Sequence, residues 1–312
     1  MSPTLTFRST CYNHERFLEA SLDSVAEQGF EDMQWIIVDD ASEDESPRLI
    51  TRWVDRHLGQ LRRRGVRIEW IKHDRNRGFT RTLNEILALA KGTYLCGLSC
   101  DDRILPGRIE KALRQFATMA SDYVAVYSDA YLIDDAGNRL PELFIEHHRS
   151  FTLVPEGDIF TPLLEGNYLP AFGVMVRTQA LRDVGGYDES LSYEDYDAWL
   201  RLARRGKFAF LSEPLGEYRF HSSNLHKRIK DFNTANYWIY RKHLDHPAGA
   251  QRFLVHARQL KRGGELSLAL VADLQALIKE ASPSIHRDIH RLVRPRREWR
   301  RWWADVTSAL QR

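Results

Sequence analysis

Apolar runs and helical patterns alternate along the first part of the chain. Residues 34–40, Gln-Trp-Ile-Ile-Val-Asp-Asp, form a near-continuous apolar run that ends in two acids, and residues 94–99 form another apolar run. Short runs of this kind are typical of strands buried on both faces of a parallel sheet. The predicted order is strand 4–10, helix 15–28, strand 34–40, helix 47–58, strand 66–73, helix 79–90 and strand 94–99. This alternation predicts an α/β fold with a mostly parallel, doubly wound sheet.

The pattern becomes less regular after residue 99. It predicts a helix over 106–118, a strand and return strand within 123–140, a loop-rich stretch over 141–166, a strand over 172–178, a short helix ending at Gly185–Gly186, a helix over 192–206 and a strand over 207–211. From about Thr234 onward the pattern is helical and amphipathic. We therefore expect two domains, an α/β domain over residues 1–230 and a helical C-terminal extension over residues 231–312.

Composition narrows the class of protein. The 312 residues are 43% hydrophobic, and 45 basic against 43 acidic side chains leave a formal charge of only +2. The chain can therefore build a sizeable core, and its charge gives no general argument for nucleic-acid binding. Cys11, Cys96 and Cys100 show neither a disulfide framework nor zinc-site spacing, so we expect them to be reduced. Because the sequence shows no signal core and no run of about 18 apolar residues, we expect a cytoplasmic protein that is soluble or, at most, peripheral to a membrane.

Two pairs of adjacent acids follow predicted strands, Asp39–Asp40 and Asp101–Asp102. Adjacent carboxylates repel each other, so something outside the local sequence should stabilise them. A turn or a helix cap is one alternative, and Pro106 at the start of the predicted helix favours it for Asp102. Because the carboxyl ends of parallel strands open into one crevice, two such pairs favour a ligand site. Asp101 and Asp102 would supply the hard oxygen ligands that Mg²⁺ or Mn²⁺ prefers.

Five segments, taken in order, resemble glycosyltransferase family 2, the inverting sugar-nucleotide enzymes with the GT-A fold. They are STCYNHERFLEASLDSV at 9–25, WIIVDDASED at 35–44, NRGFTRTLNEILALAKGTYLCGLSCDD at 76–102, VGGYDESLSYEDYDAWLRLARRG at 184–206 and YRFH at 218–221. The resemblance covers roughly residues 4–225. It implies a GT-A sheet flanked by helices, a nucleotide-sugar donor and an acceptor hydroxyl.

The resemblance implies a nucleotide subsite at the ends of the first two strands. Tyr12 would stack on a uracil or thymine ring, with Thr10 beside it. Asp40 would hydrogen-bond the edge of the base. The alternative is that Tyr12 is simply half-buried and that Asp40 caps the turn that follows it.

The resemblance also implies a metal site. Asp101 and Asp102 would bind a divalent cation, Mn²⁺ or Mg²⁺, with the donor diphosphate, one carboxylate holding the cation and the other a ribose or water. His221 would add a nitrogen ligand or contact the diphosphate. The common pattern at this strand end is Asp-x-Asp-Asp, whereas this chain has Ser99 in the first position. A serine can hydrogen-bond a ribose hydroxyl but brings no charge to the cation.

Glu194 and Asp195 match the Glu-Asp pair that the family places at the start of a helix. By that resemblance Asp195 is the general base and Glu194 positions the acceptor or the base. Asp197 is interpreted as a structural acid of the first helical turn. A helix N-terminus lowers the pKa of an acid, which hampers a base unless burial offsets the effect. The alternative is that all three acids only complement the helix dipole.

The predicted reaction is a single in-line displacement from a nucleoside-diphosphate sugar, with UDP- or dTDP-sugar favoured. The processive Gln-x-x-Arg-Trp motif is absent from the sequence, which favours a non-processive enzyme of cell-surface glycan or lipid-linked saccharide synthesis. One alternative is a sugar-phosphate nucleotidylyltransferase, which would need a glycine-rich basic loop after the first strand. Another is a non-catalytic scaffold protein with the same fold.

The end of the chain is basic and aromatic. Helical spacing places one apolar stripe along it, formed by Trp299, Trp302, Trp303, Val306 and Leu310. This stripe could pack on the domain or on a second subunit in a homodimer. It could equally rest on an anionic membrane, because arginines surround the tryptophans. Nucleic acid is disfavoured, since no recognition motif accompanies the charge.

Overall fold

The computed structural model describes residues 3–220, 232–280 and 283–293. The chain forms two compact units, Met1–Lys230 and Asp231–Arg312. The described part of the first unit mixes strands and helices, and the described part of the second is helical.

The strands of the first unit are arranged in two sheets. They are β1 (Leu5–Cys11), β2 (Met33–Asp39), β3 (Arg67–Lys72), β4 (Tyr94–Ser99), β5 (Arg103–Ile104), β6 (Tyr123–Ser128), β7 (Tyr131–Ile133), β8 (Arg139–Leu143), β9 (Val174–Arg177), β10 (Lys207–Leu211) and β11 (Gly216–Arg219). The central sheet has seven strands in the order β10-β6-β9-β4-β1-β2-β3. Its neighbours are parallel except around β9, which runs antiparallel to β4 and β6. The predicted α/β fold with a mostly parallel sheet is confirmed.

Helices connect these strands. They are α1 (Leu18–Ala26), α2 (Ser46–Arg63), α3 (Phe79–Leu89), α4 (Arg108–Thr118), α5 (Phe144–His148), α6 (Phe160–Leu164), α7 (Thr178–Asp183) and α8 (Glu194–Ala203). Helix α2 is longer than predicted, because Leu61 continues its buried stripe. Helix α4 begins after Gly107, whose φ of 78° is left-handed, so Pro106 precedes the helix. Asp102 is therefore not the cap of this helix.

The second sheet has four strands in the order β5-β11-β7-β8, and the sequence pattern did not predict it. The expected strand and return strand within 123–140 belong to different sheets, since β6 lies in the central sheet and β7 pairs with β8. The buried Asp129 carboxylate accepts hydrogen bonds from the N–H groups of Ala130 and Ile145, at 2.7 and 3.0 Å, and fixes the bend after β6. Only Ser128 and Asp129 separate the apolar residues of β6 from those of β7, and this short interruption does not show that the two strands belong to different sheets. The expected loop over 141–166 also contains the short helices α5 and α6.

Alternation along β1 separates the core from the opposite face of the sheet. The Phe7 ring meets the Trp35 ring edge-on at 6.4 Å between centroids, and Trp35 meets Trp53 at 5.3 Å. These residues belong to the main apolar core. Because successive side chains of a strand point to opposite faces, Arg8 and Thr10 lie on the other face of the sheet.

The described helices of the second unit are α9 (Phe232–Arg241), α10 (Pro247–Gly263), α11 (Leu268–Glu280) and α12 (Pro283–Val293). The Tyr237 hydroxyl donates to the Asp273 carboxylate at 2.7 Å and links α9 to α11. No helix within the described residues combines the length and the apolar character that crossing a bilayer requires. The predicted stripe from Trp299 to Leu310 lies outside the described residues.

Candidate active site

A pocket of about 400 Å³ opens at the carboxyl ends of β1 and β4. Its walls include six of the residues predicted from the sequence: Thr10, Tyr12, Asp40, Ser99, Asp101 and Asp102. The parallel register explains their meeting, because Thr10 of β1 lies directly beside Ser99 of β4. The structure thus brings the expected nucleotide and metal residues to one crevice.

Tyr12 is half-buried in the loop that follows β1. The next residue, Asn13, has a left-handed φ of 59°. Its N–H donates to the Ser42 hydroxyl at 2.9 Å, and its side-chain oxygen accepts from the Glu43 N–H at 2.8 Å. These bonds fix the loop that carries Tyr12, so its ring is held at the pocket wall.

Asp40 is buried and organises the loop that leads into α3. Its carboxylate accepts hydrogen bonds from the His73 ring at 2.7 Å, the Arg77 N–H at 2.8 Å and the Gly78 N–H at 2.9 Å. The other ring nitrogen of His73 lies 2.9 Å from the Glu85 carboxylate. Since an ionised carboxylate offers about four acceptor sites, Asp40 retains one for a ligand.

Asp39, the other acid of this pair, has a different role. It is fully buried and accepts a hydrogen bond from the Ser42 N–H at 2.9 Å. Asp39, rather than Asp40, therefore stabilises the turn after β2.

Asp101 and Asp102 lie in the turn between β4 and β5, and both are buried. The Arg219 N–H donates to the Asp102 carboxylate at 2.9 Å, and the Arg219 guanidinium donates to the Asp101 carbonyl at 3.0 Å. Burial and the charge of Asp101 raise the pKa of Asp102 well above its usual range. Strand β11, which supplies Arg219, thus holds the acidic turn in place.

His14 was not predicted to contribute to the site. Its Nε2 lies 3.7 Å from the Asp101 carboxylate. Burial by itself lowers the pKa of His14, but the charge of Asp101 and a hydrogen bond with Cys11 raise it to about 9. The imidazolium therefore offsets part of the charge of the acidic turn. Its place in the Tyr-Asn-His segment directly after β1 was the available signal.

Asp101 and Asp102 fit a divalent cation by the chemistry of their donors, since both are buried carboxylates at the wall of one pocket. Within the described residues no group of three or more His, Cys, Asp and Glu side chains is arranged to hold a metal ion. A cation bound by this pair would need further oxygen ligands from a donor or from water. His221, the expected third ligand, lies outside the described residues.

Glu194 and Asp195 occupy the first turn of α8, where Glu194 is buried and Asp195 is half-buried. Burial and the charge of Asp195 raise the pKa of Glu194 to about 8. Burial also raises the pKa of Asp195 to about 6, although hydrogen bonds from the Tyr196 N–H (2.7 Å) and the Asn167 amide (3.3 Å) act in the opposite direction. Burial thus outweighs the expected lowering of the pKa by the helix N-terminus. A carboxyl group with a pKa near 6 is suited to act as a base close to neutral pH.

Asp197 is a structural residue, as interpreted from the sequence. It is fully buried and accepts two hydrogen bonds from the Arg201 guanidinium, at 2.9 and 2.6 Å. The same guanidinium donates to the Gly186 carbonyl at 2.7 Å. Asp197 therefore ties α8 to the loop that precedes it.

Two further residues, Arg8 and Tyr218, lie between the pocket and the Glu194–Asp195 pair. Both line the pocket, whereas Glu194 and Asp195 do not. After burial, the charges of Asp102, Asp101 and Asp195 raise the pKa of Tyr218, which places its ring near both acidic pairs. The charge of Arg8 acts in turn on Glu194 and Asp195. An arginine in the middle of the predicted first strand was the sequence signal for Arg8.

The fold and the acidic pocket define a glycosyltransferase of the GT-A class. The family model of glycosyl transferase family 2 matches residues 9–184, more than half of the chain. The chain therefore belongs to this family, and the predicted family, fold and enzyme class are confirmed.

Proteins with similar sequences are also described as glycosyltransferases. An uncharacterized glycosyltransferase of Methanocaldococcus jannaschii is 29% identical over 247 residues, which cover 77% of this chain and 79% of that protein. The Bacillus subtilis protein EpsE, named as a glycosyltransferase, is 28% identical over 232 residues, covering 72% of this chain and 76% of EpsE. A glycosyltransferase of Rickettsia felis is 24% identical over 234 residues, which cover 74% of this chain but only 36% of that protein.

Solved structures share the fold. Residues 1–349 of Staphylococcus aureus TarS, in complex with UDP-GlcNAc, superpose with a TM-score of 0.60 at 16% identity, covering 93% of this chain and 79% of that one. The mannosyltransferase PcManGT of Pyrobaculum calidifontis, in complex with GDP-Man and Mn²⁺, gives a TM-score of 0.58 at 15% identity, covering 98% and 85%. At these identities the likeness concerns the fold.

Proposed function

We propose that this glycosyltransferase moves a sugar from a nucleoside-diphosphate donor to an acceptor hydroxyl with inversion of configuration, and that it prefers UDP- or dTDP-sugars. The observation that carries the proposal is the single pocket that joins Tyr12, Asp40 and Asp101 at the strand ends. Complexes of the structural neighbours with UDP-GlcNAc and GDP-Man support a nucleotide-sugar donor.

The nucleotide base occupies the part of the pocket between β1 and β2. Tyr12 stacks on the ring, and Thr10 lies beside it. Asp40 accepts an N–H of the base edge with its remaining acceptor site, while its other bonds keep the neighbouring loop in place. A pyrimidine such as uracil or thymine presents an N–H of this kind. Ser99 donates its hydroxyl to the ribose.

The divalent cation, Mn²⁺ or Mg²⁺, is held by Asp101 and Asp102. When bound, it supplies positive charge that stabilises the departing diphosphate. The protein contributes the arrangement of the carboxylates, because the Arg219 N–H fixes Asp102. His221 stays a predicted ligand.

Asp195 is the general base. Its carboxylate takes the proton of the acceptor hydroxyl as the hydroxyl oxygen attacks the anomeric carbon. A bond from that oxygen to the anomeric carbon forms, and the bond to the diphosphate breaks on the opposite side. Asn167 and the Tyr196 N–H orient the carboxylate of Asp195. Glu194, whose pKa is about 8, stays protonated near neutral pH and can donate a hydrogen bond to the acceptor.

The acceptor belongs to a cell-surface glycan or a lipid-linked saccharide, and the enzyme works at the cytoplasmic face of the membrane. The basic tryptophan-rich end of the sequence supports this part of the proposal. Removing residues 294–312, which leaves α12 whole, should lower binding to vesicles that contain anionic lipid. Unchanged vesicle binding together with a lost dimer would instead assign these residues to subunit packing.

Calorimetry with UDP-, dTDP- and GDP-sugars, with and without Mn²⁺, tests the donor. We expect binding of a UDP- or dTDP-sugar, followed by release of the nucleoside diphosphate when acceptor is present. The proposal would be overturned if no nucleotide sugar bound in either condition. Tight binding of GDP-sugars alone would correct the choice of base but keep the reaction.

A further inference from the structure

Arg8 is a buried cation that faces the pocket without a carboxylate partner. It is only 7% exposed, and it lies in β1, whose residues are all buried. Its terminal NH1 has long contacts with the Thr10 hydroxyl, at 3.4 Å, and the Leu98 carbonyl, at 3.5 Å. Within the described residues it forms no ion pair. Glu194 and Asp195 act on this charge only from beyond ion-pairing distance. Since a buried charge without a direct ion-pair partner is unfavourable, this arrangement points to an anionic ligand.

The side chain of Arg8 is directed towards the acidic turn. Arg8 lies beside Gly97 in the register of β1 and β4. A Cβ atom at Gly97 would stand 2.0 Å from the Arg8 Cγ, so the side chain crosses β4 where there is no side chain to block it. The contacts of NH1 with Thr10 and Leu98 then place the guanidinium next to the Leu98–Ser99 peptide. The positive charge of Arg8 therefore lies at the end of β4, next to the turn that contains Asp101.

Ser99 and Arg8 together change the charge of this strand end. An acid at position 99, as in the Asp-x-Asp-Asp pattern, would stand on the same face of the sheet as Arg8 and could pair with it. With Ser99 in that position the guanidinium keeps its donors available for a ligand. The floor of the pocket thus offers a guanidinium and a hydroxyl where the common pattern offers a carboxylate.

We infer that Arg8 binds the diphosphate of the nucleotide donor. This inference rests on the proposed function, because it names the contact that the donor makes in the same pocket. A guanidinium forms charge-assisted, often bidentate hydrogen bonds with phosphate oxygens. It also supplies positive charge at the diphosphate that does not depend on a cation. The donor should therefore keep much of its affinity when divalent metal is removed.

Calorimetry in EDTA tests the inference with three probes: UDP, inorganic pyrophosphate and uridine. Arg8→Met should lower the affinity for UDP and pyrophosphate by about tenfold to a hundredfold, the range expected for a charge-assisted hydrogen bond. The affinity for uridine should not change. Arg8→Lys should restore most of the affinity. Arg114→Met is the matched control, because Arg114 is exposed on α4 and pairs only with Glu110 in the described structure.

Ser99→Asp provides an independent variant that keeps Arg8. The new carboxylate should form an ion pair with the Arg8 guanidinium. The affinity for UDP in EDTA should therefore fall, and UDP binding should become more dependent on Mn²⁺. The inference is overturned if Arg8→Met binds UDP and pyrophosphate as the wild type does. It is also overturned if Arg8→Met weakens the binding of UDP-glucuronic acid but not that of UDP-glucose, since Arg8 would then bind the carboxylate of the sugar and not the diphosphate. If the wild type binds neither these probes nor any nucleotide sugar, with or without Mn²⁺, the proposed function itself fails.

Discussion

The two acidic pairs, Asp101–Asp102 and Glu194–Asp195, each consist of adjacent carboxylates but have different surroundings. The first follows a strand and has a cationic neighbour, His14, 3.7 Å from Asp101. The second begins a helix and, within the described residues, has no cation at ion-pairing distance. Its direct hydrogen bonds come from the neutral Asn167 amide and a backbone N–H.

This difference suits the Asp101–Asp102 pair to binding a cation and the Glu194–Asp195 pair to transferring a proton. Burial raises the pKa of Asp102 in the first pair, but the charge of His14 acts in the opposite direction, and a bound cation would favour the charged form of this pair. A pair whose pKa values are raised to about 6 and about 8 by burial can exchange a proton near neutral pH. The two roles that we propose for these pairs therefore rest on their surroundings and not on residue type.

Asp195→Asn tests the proton transfer that we propose for the Glu194–Asp195 pair, and it should have the largest effect. Removing the proton acceptor should lower kcat by about a thousandfold, within the range for general acid–base catalysis, while donor affinity persists. The measurement is turnover by release of nucleoside diphosphate, with donor affinity by calorimetry. Asp197→Asn is the control in the same helix. It should reduce thermal stability through the lost Arg201 bonds, but its folded fraction should keep turnover. Full turnover by Asp195→Asn would move the role of base to Glu194 or elsewhere.

Asp101→Asn tests the charge-binding pair. The loss of one anionic ligand should weaken UDP binding in Mn²⁺ by about tenfold or more, with a much smaller change in EDTA. Titration calorimetry in both conditions provides the comparison. Asp135→Asn, a change at an exposed acid paired with Arg16, serves as the control. Equal losses in Mn²⁺ and EDTA would show that Asp101 acts without a cation.

The pH dependence of kcat should reveal which pair exchanges protons. Because the pKa of Asp195 is about 6, kcat should fall by about fivefold between pH 6 and pH 5 as the base becomes protonated. The apparent value belongs to the coupled pair of Glu194 and Asp195. A rate that stays constant down to pH 5 would place the base outside this pair.

Glu194→Gln should increase stability at alkaline pH. The folded protein binds more protons than the unfolded chain between about pH 4 and pH 8, because burial raises the pKa of Glu194 from 4.5 to about 8. The free energy of unfolding of the wild type should therefore fall as pH rises through this window. The variant lacks this carboxyl and should exceed the wild type by at least about 1 kcal/mol at pH 8.5. Urea unfolding at pH 5 and pH 8.5 measures the difference, and identical pH profiles would contradict it.

The sequence predicted the central sheet because its strands are apolar and separated by helical patterns. Strand β11 escaped prediction, since Gly-Glu-Tyr-Arg shows no apolar alternation. Its buried Glu217 is instead stabilised by Arg103 at 2.7 Å and Arg139 at 3.3 Å. Pairing partners from distant segments decide such a strand, and a local pattern does not contain them.

The site was predictable where chemistry follows from topology. Asp40 and Asp101 were assigned to one crevice because parallel strands end at the same edge. Arg8 was not, because the role that we infer for it depends on the side chain that Gly97 lacks and on Ser99 in the neighbouring strand. His14 likewise meets Asp101 only after the chain has folded.

The bonds of Asp40 have a consequence for the thermodynamics of donor binding. Three acceptor sites of this carboxylate already hold His73, Arg77 and Gly78 in the structure. The loop over residues 73–78 is therefore ordered before a nucleotide arrives, and association need not include the loss of its conformational entropy. Donor association at this wall should resemble docking to a rigid surface, with slow amide exchange at Arg77 and Gly78, whose N–H groups donate to Asp40, in both the free and the bound enzyme.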